Sequence, residues 1–211
     1  MLNAITVYCS SSTHLDPDFH EPAKAVGAEL ARRSITLVYG GGGIGLMGEI
    51  ARSCQAHGGK VVGVITRILK EKEQGYDDCD ELIVVETMQQ RKKLMMERGN
   101  AFLVLPGGVG TCEEFFEVLA ARLVGEHAKP IGIVNSDHFY DPLINMMLHG
   151  IQHRFIKPAV YEDLLHIDLD PVKVIEALIA DERRAIEDDR FLPMGKTLGP
   201  TGTTPGLPGA G

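Results

Sequence analysis

The feature that most constrains the fold of this chain is a regular alternation between short apolar runs and longer segments of helical period. Seven runs rich in Val, Ile and Leu are candidate strands, at residues 4–9, 35–39, 60–65, 81–85, 102–105, 130–134 and 164–167. Candidate helices lie at residues 17–33, 46–57, 88–98, 111–124, 140–149 and 171–187. Such alternation is typical of a parallel sheet covered by helices. It predicts an α/β fold of Rossmann type, with one doubly wound, mainly parallel sheet of about seven strands and helices on both faces.

A change in composition divides the 211 residues into a body and a tail. Residues 191–211 hold 6 of the 24 glycines and 4 of the 11 prolines, and such a segment buries too little apolar surface to fold alone. The sequence therefore predicts one domain over residues 1–190 and a disordered tail over residues 191–211. Within the body, residues 66–80 lack a periodic apolar pattern and are interpreted as a loop near the carboxyl edge of the sheet.

The charge and composition of the chain argue against several classes of binding partner. The 21 Lys and Arg against 29 Asp and Glu give a net charge of −8, which argues against extended contact with nucleic acid or anionic lipid. No stretch approaches the roughly 18 apolar residues of a membrane span, and the N-terminus lacks the pattern of a signal sequence. The four cysteines show no zinc-site spacing. We therefore expect a cytoplasmic protein that acts on a small molecule and uses neither a metal nor a cofactor.

The first of two glycine-rich loops spans residues 40–48, between a candidate strand and a candidate helix. Glycine there lets backbone N–H groups approach a phosphate closely, so Gly42 and Gly43 are candidate substrate contacts. GxGxxG can be read from Gly40 and again from Gly43, which leaves an NAD(P)-dependent oxidoreductase as one alternative. The next strand lacks the acid that would hold the ribose, although Arg67 could bind the phosphate of NADP. Alternatively, the glycines at residues 40–48 only allow a tight strand–helix turn to pack close to the sheet.

The second glycine-rich loop reads PGGVGTCEE at residues 106–114 and again joins a strand to a helix. Residues 108–111 offer a nest of N–H donors for an anion, and the Thr111 hydroxyl could cap the helix or donate to a phosphate. Glu113 and Glu114 follow in the first helical turn. They are interpreted either as acids that complement the helix dipole or as a catalytic carboxylate beside a bound phosphate. Periodicity alone does not distinguish Glu113 from Glu114.

Two smaller features are also candidate ligand contacts. On the candidate helix at residues 88–98, Arg91 and Lys92 project on the side that carries Met88 and Met95. They are interpreted either as cations that bind a phosphate or orient a carboxylate, or as side chains that extend from a buried face to place their charge in solvent. Residues 10–12, all serine, follow the first strand and either contact a ligand or form a polar turn.

Three motifs, in this order and spacing, resemble the LOG family of cytokinin riboside 5′-monophosphate phosphoribohydrolases. They are the glycine-rich segment at residues 38–48, Met88-x-x-Arg91-Lys92, and Pro106-Gly107-Gly108-x-Gly110-Thr111-x-x-Glu114. The similarity runs from about Thr6 to about Ile156. It implies a dimeric Rossmann-like enzyme, with its site near the interface, that hydrolyses the N-glycosidic bond of a nucleoside 5′-monophosphate such as a cytokinin nucleotide or AMP.

The resemblance also implies roles for individual residues. Arg91 and Glu114 correspond to the family's catalytic pair. The substrate-binding set that we expect is Glu73, Lys92, Gly107, Gly108, Val109, Gly110, Thr111, Glu113, Gly42, Gly43 and Met88.

The chain departs from the family's pattern at several positions. The family usually has His where Gln89 or Gln90 stands, Thr in place of Ala120 and Trp in place of Ala121, so these helix positions shape either the base pocket or the dimer seam. Some relatives carry the label lysine decarboxylase, but nothing in the sequence indicates a pyridoxal phosphate site. A non-catalytic carrier of a phosphorylated cofactor such as molybdopterin, which would need no paired Arg91 and Glu114, is the remaining alternative.

Overall fold

The computed structural model describes residues 2–72 and 75–181 and arranges them as seven strands and eight α-helices. The strands are β1 (Ala4–Tyr8), β2 (Thr36–Tyr39), β3 (Val61–Thr66), β4 (Glu81–Val85), β5 (Ala101–Val104), β6 (Ile131–Val134) and β7 (Leu165–Asp168). The helices are α1 (His20–Arg32), α2 (Gly45–Ala56), α3 (Arg67–Lys72), α4 (Met88–Arg98), α5 (Val109–Leu123), α6 (Asp141–Gln152), α7 (Pro158–Glu162) and α8 (Pro171–Ala180). Short 3-10 turns lie at Pro17–Phe19 and Ser136–His138.

The strands form one parallel sheet in the order β4-β3-β2-β1-β5-β6-β7, which confirms the predicted doubly wound fold. β1 lies at the centre, with Val7 opposite Tyr39 of β2 on one side and Leu103 of β5 on the other. From β1 the chain first builds the sheet toward β4, then returns and continues from β5 toward β7. The order therefore reverses between β1 and β5, and the crevice outside the carboxyl ends of those two strands is where such sheets bind ligands.

Alternating strand residues build a hydrophobic core on each face of the sheet, because successive side chains of a strand point to opposite faces. On one face, Val7 and Leu103 pack with buried residues of α1, α2 and α8. On the other face, Tyr8 and Phe102 pack with buried residues of α4, α5, α6 and α7. The site-bearing helices α4 and α5 thus share the second core and are held against the same strands.

Several sequence predictions need correction. The predicted loop at residues 66–80 contains α3, whose start is capped by the Thr66 hydroxyl accepting from the Leu69 N–H (3.3 Å). Five of its six residues are good helix formers, but so short a helix shows no periodicity. α7 was not predicted at all, and the predicted helix 171–187 ends at Ala180, where Asp181 turns extended. The predicted tail at residues 191–211 lies outside the described residues.

None of the helices in residues 2–72 and 75–181 combines the length and the apolar character needed to cross a lipid bilayer.

Candidate active site

A cleft of about 410 Å³ opens at the carboxyl edge of the sheet, at the point where the strand order reverses. The loops after β1 and β5 form part of its wall, and the backbone bond from the Ser10 N–H to the Pro106 carbonyl (3.2 Å) joins them. Among the residues predicted for the site, those that line the cleft are Met88, Arg91, Gly108, Gly110, Thr111, Glu113 and Glu114. Most of the second glycine-rich loop and the arginine motif therefore meet in one place.

Arg91 lies at the floor of this cleft, where it is 4% exposed. Its position on α4 is set by a capping box, in which Thr87 accepts from the Gln90 N–H and the Gln90 side chain accepts from the Thr87 N–H. The guanidinium donates from Nε to the Val64 carbonyl (3.0 Å) and from Nη2 to the Gly40 carbonyl (3.3 Å). These bonds compensate the burial of a cation and fix the direction of its remaining N–H groups.

Glu114, in the second turn of α5, is the carboxylate that Arg91 holds. Arg91 Nη1 donates to Glu114 Oε1 at 3.2 Å, and both side chains are almost fully buried. The adjacent phenol of Tyr8 also lies within this buried group. Burial first, and then the negative charge of Glu114, raise the pKa of Tyr8 well above its usual value, so its hydroxyl stays neutral. The arrangement places one oriented carboxylate in a largely water-excluded setting, where charges act strongly on a bound substrate.

The N-terminus of α5 forms one wall of the cleft. Gly108 occupies the N-cap position, and no side chain caps the helix there. Because the first N–H groups of a helix have no intrahelical partner, those that follow Gly108 can donate to an anion. Gly107 is required beside them, since a Cβ at this position would overlap the side chain of Thr111. The glycines therefore bring bare backbone to the cleft and let Thr111 turn toward it.

A second cation–carboxylate pair runs parallel to the first, nearer the surface. Lys92 Nζ contacts Glu113 Oε1 and lies 3.0 Å from Glu117 Oε1. The hydrogen bond to Glu113 is the main cause that raises the pKa of Lys92. Each acid in the first turns of α5 thus has a neighbouring base on α4. The two bases therefore offset the charge of the carboxylates beside the helix N-terminus.

Three further predicted residues lie in the described part of the chain but do not line the cleft. Lys92 faces α5, Gly107 lies beneath Thr111, and Val109 is 88% exposed beside the cleft mouth. Glu73 lies outside the described residues.

The first glycine-rich loop is a tight strand–helix turn. Gly42 forms an antiparallel bridge with Gly75, and the Gly43 carbonyl accepts from Arg52 (2.9 Å). Gly41 adopts a φ of +77°, a conformation that L side chains rarely adopt. Arg67, the candidate NADP contact, pairs instead with Glu86 at 2.7 Å on the exposed surface. This turn supports the packing interpretation of the glycines.

The cleft also contains residues that sequence reasoning missed. Met47 at the start of α2 and Leu69 of α3 line it, together with Cys9 and the three serines after β1. The serines were predicted as one of two alternatives. Met47 lies within the first glycine-rich motif without being predicted as a contact, and Leu69 carries no signal of its own in the sequence. They reach the cleft because α2 and α3 follow strands that end at the same edge of the sheet. Within the described part of the chain, no group of three or more His, Cys, Asp or Glu side chains could hold a metal ion.

Comparison with known proteins identifies the family. A family profile described as "possible lysine decarboxylase" matches residues 47–178. A cytokinin riboside 5′-monophosphate phosphoribohydrolase of Rhodococcoides fascians is 42% identical over 157 residues, which cover 74% of this chain and 79% of the relative. The chain belongs to the LOG family. A probable LOG-family enzyme of Oryza sativa subsp. japonica is 41% identical over 155 residues, covering 74% of this chain and 68% of that protein.

Solved structures support the LOG-family chain's fold. The molybdenum cofactor carrier protein of Chlamydomonas reinhardtii superposes with a TM-score of 0.65 and covers 86% of this chain and 100% of its own. At 19% identity, that likeness shows the shared fold alone and gives no support to the carrier alternative.

Proposed function

We propose that this LOG-family chain hydrolyses the N-glycosidic bond of a nucleoside 5′-monophosphate and releases the free base and ribose 5-phosphate. The observation that carries the proposal is the buried Arg91–Glu114 pair in the same cleft as the uncapped N-terminus of α5. One end of this cleft suits a phosphate, and its floor presents a carboxylate. The names of the relatives, which describe phosphoribohydrolases, agree with this chemistry.

The reaction passes through an oxocarbenium-like state at the anomeric carbon of the ribose. In the proposed mechanism, Glu114 stabilises the positive charge that develops there and accepts a proton from the attacking water. The water oxygen bonds to C1′, the bond from C1′ to the base nitrogen breaks, and the released base ends with the proton. Glu114 is favoured over Glu113 because it is buried and oriented by Arg91, whereas the side chain of Glu113 is half exposed.

The phosphate contributes binding energy at a distance from the bond that breaks. The N–H groups at the start of α5 and the Thr111 hydroxyl would hold it and so position the ribose over Glu114. Lys92 pairs with Glu113 in the second turn of α5, which lowers the repulsion between that carboxylate and the incoming anion. The N–H groups at the start of α5 would bind the phosphate locally, which is how a protein of net charge −8 would hold a nucleotide.

Incubation with a panel of nucleoside 5′-monophosphates and the matching nucleosides, followed by chromatography of the released bases, tests this function. We expect base release from monophosphates and much slower release from nucleosides. No release from any monophosphate would refute the enzyme assignment, and equal release from the nucleosides would refute the role of the phosphate. The absence of any NAD(P)H change at 340 nm in the same mixtures is expected and separates the reaction from an oxidoreductase.

We also propose a homodimer formed by the outer face of α5 and α6. Large apolar side chains are exposed there, among them Met146 (49%) on α6 and Phe155 (89%) in the segment just after α6. Phe155 lines an apolar hollow of about 390 Å³ against α5. Ala120 lines this hollow and does not line the cleft, which favours the dimer seam over the base pocket for that family position. Because α5 also carries Glu113 and Glu114, the interface would lie near the site. The reaction is proposed to take place in the cytoplasm.

A further inference from the structure

Two histidines stand one turn apart at the carboxyl end of α6, on the side of the helix that faces solvent. His149 and His153 are both exposed, and their spacing of four residues puts two side chains on one face of a helix. His149 lies two positions after the buried Met147, which places it on the opposite side of α6 from the core. The pair is therefore open to a ligand from solvent.

The turn that ends α6 fixes the backbone of both histidines. His153 is the C-cap residue, and its N–H donates to the His149 carbonyl (3.0 Å). Beyond it, Arg154 adopts a φ of +64°, and the Phe155 N–H donates back to the Gly150 carbonyl (2.8 Å). The two imidazoles thus project from a hydrogen-bonded turn and not from a frayed helix end.

The two rings lie close to the separation that a shared metal ion requires. Their centroids are 4.4 Å apart, and the ring planes are inclined at 59°. An imidazole nitrogen lies about 2.0–2.1 Å from Zn²⁺, so two imidazoles on one tetrahedral ion have centroids roughly 5 Å apart. Small rotations about the side-chain bonds bring the pair to that distance. Chelation by the two rings therefore needs no movement of the backbone.

The surroundings of the pair also suit a cation. Within residues 2–72 and 75–181, neither imidazole makes a side-chain hydrogen bond or an ion pair, whereas His138 on the preceding turn pairs with Asp141 (3.2 Å). The carboxyl end of a helix carries a partial negative charge, which favours a bound cation. Arg154, the cation next to the pair in sequence, lines the hollow against α5. The ring nitrogens are thus available as ligands.

We propose that His149 and His153 together bind one divalent transition-metal ion, of the class of Zn²⁺, Ni²⁺ and Cu²⁺, with water completing its coordination. Imidazole is a ligand that these ions share, whereas Mg²⁺ and Ca²⁺ prefer oxygen. Neither histidine lines the cleft, and α6 runs back from the edge of the sheet where the cleft opens. The metal site is separate from the proposed reaction and does not depend on it.

Isothermal titration calorimetry of Ni²⁺ into the untagged protein tests the site, because imidazole binds Ni²⁺ well whereas thiolates select softer ions. We expect about one ion per chain, and a Kd at least about tenfold weaker in His149→Gln and in His153→Gln. Mg²⁺ should give no binding at the same concentrations. His14→Gln removes an exposed histidine outside α6 and should leave the affinity for Ni²⁺ unchanged.

A double variant tests the spacing of the two ligands. Leu148→His combined with His149→Gln keeps two histidines on α6 but puts them five residues apart, on different sides of the helix. This protein should bind Ni²⁺ no more tightly than His149→Gln, with folding of each variant checked by circular dichroism. No binding to the wild type at millimolar Ni²⁺, or wild-type affinity in folded His149→Gln, would contradict the site. An equal loss of affinity in His14→Gln would place the ion elsewhere and contradict it too.

Discussion

At the scale of single residues, the site depends on glycines that give room to functional side chains. A Cβ on Gly40 would overlap the Nη2 atom of Arg91 and crowd Met47. Position 40 therefore requires glycine, because the Arg91 guanidinium occupies the space that a side chain at this position would need. The sequence shows Gly40 as part of a phosphate-loop pattern, but in the structure the buried Arg91 side chain explains why a glycine stands there.

Gly40→Ala should therefore fold and lose activity. The end of the Arg91 side chain can move, so the free energy of unfolding should fall by no more than about 2 kcal/mol. The displaced guanidinium would no longer hold Glu114, and we expect kcat to fall about 100-fold. Chemical denaturation and steady-state assays of base release measure the two effects. Wild-type kcat in a folded Gly40→Ala protein would contradict the assigned role of Arg91.

Gly110→Ala tests the anion site in a different way. No atom lies within 4 Å of a Cβ built at Gly110, and the residue is helical, so the variant should be as stable as the wild type or up to about 1 kcal/mol more stable. The added methyl group enters the space assigned to the phosphate. We expect a KM for the monophosphate raised about tenfold. Increased stability together with an unchanged KM would place the phosphate elsewhere.

At the scale of elements, the sequence predicts the strands well and the short helices poorly. Runs such as residues 35–39 and 102–105 stand out because strands buried on both faces are apolar throughout. α3 and α7 have six and five residues, too few for a helical period. α3 is capped by Thr66, and α7 is held by packing of Val160 in the core. For the same reason, the motifs on the long helices α4 and α5 could be predicted, whereas Leu69 on α3 could not.

The segment after α5 contains a half-buried histidine, His127, which should make stability depend on pH. His127 contacts the Val118 carbonyl through Nε2 (3.0 Å) and accepts from the Lys129 N–H through Nδ1 (3.1 Å). Burial is the main cause that lowers its pKa to about 4, with a smaller effect from the positive charge of Lys129. In the unfolded chain the pKa returns to about 6.5, so between these values the unfolded state binds more protons.

The free energy of unfolding should therefore fall as pH falls from 7 to 5, by about 1–2 kcal/mol from this group. Urea denaturation of the wild type and of His127→Gln at both pH values measures the contribution. Glu29, whose pKa its bonds to Arg32 lower to about 2, keeps its charge over this range and does not confuse the comparison. The His127→Gln variant should show the flatter profile, and equal pH dependence in the two proteins would contradict a neutral His127 in the folded state.

At the scale of the whole molecule, the exposed apolar face of α5 and α6 makes assembly a testable property. Phe155→Glu places a charge on the proposed interface, and we expect the wild type to be a dimer and the variant a monomer in light scattering coupled to size-exclusion chromatography. Ile68→Glu is the matched control, because Ile68 is also exposed but lies on α3. A monomeric wild type across the micromolar range would contradict the dimer.

The whole molecule brings an arginine from α4 and a carboxylate from α5 to the point where the strand order reverses, and this is the basis of the proposed chemistry. The most direct test measures adenine release from AMP by Glu114→Gln and by its neighbour Glu113→Gln, with folding checked by circular dichroism. The account predicts that Glu114→Gln lowers kcat by at least about 1,000-fold, whereas Glu113→Gln changes it less than about tenfold. A folded Glu114→Gln protein that releases adenine at the wild-type rate would contradict it.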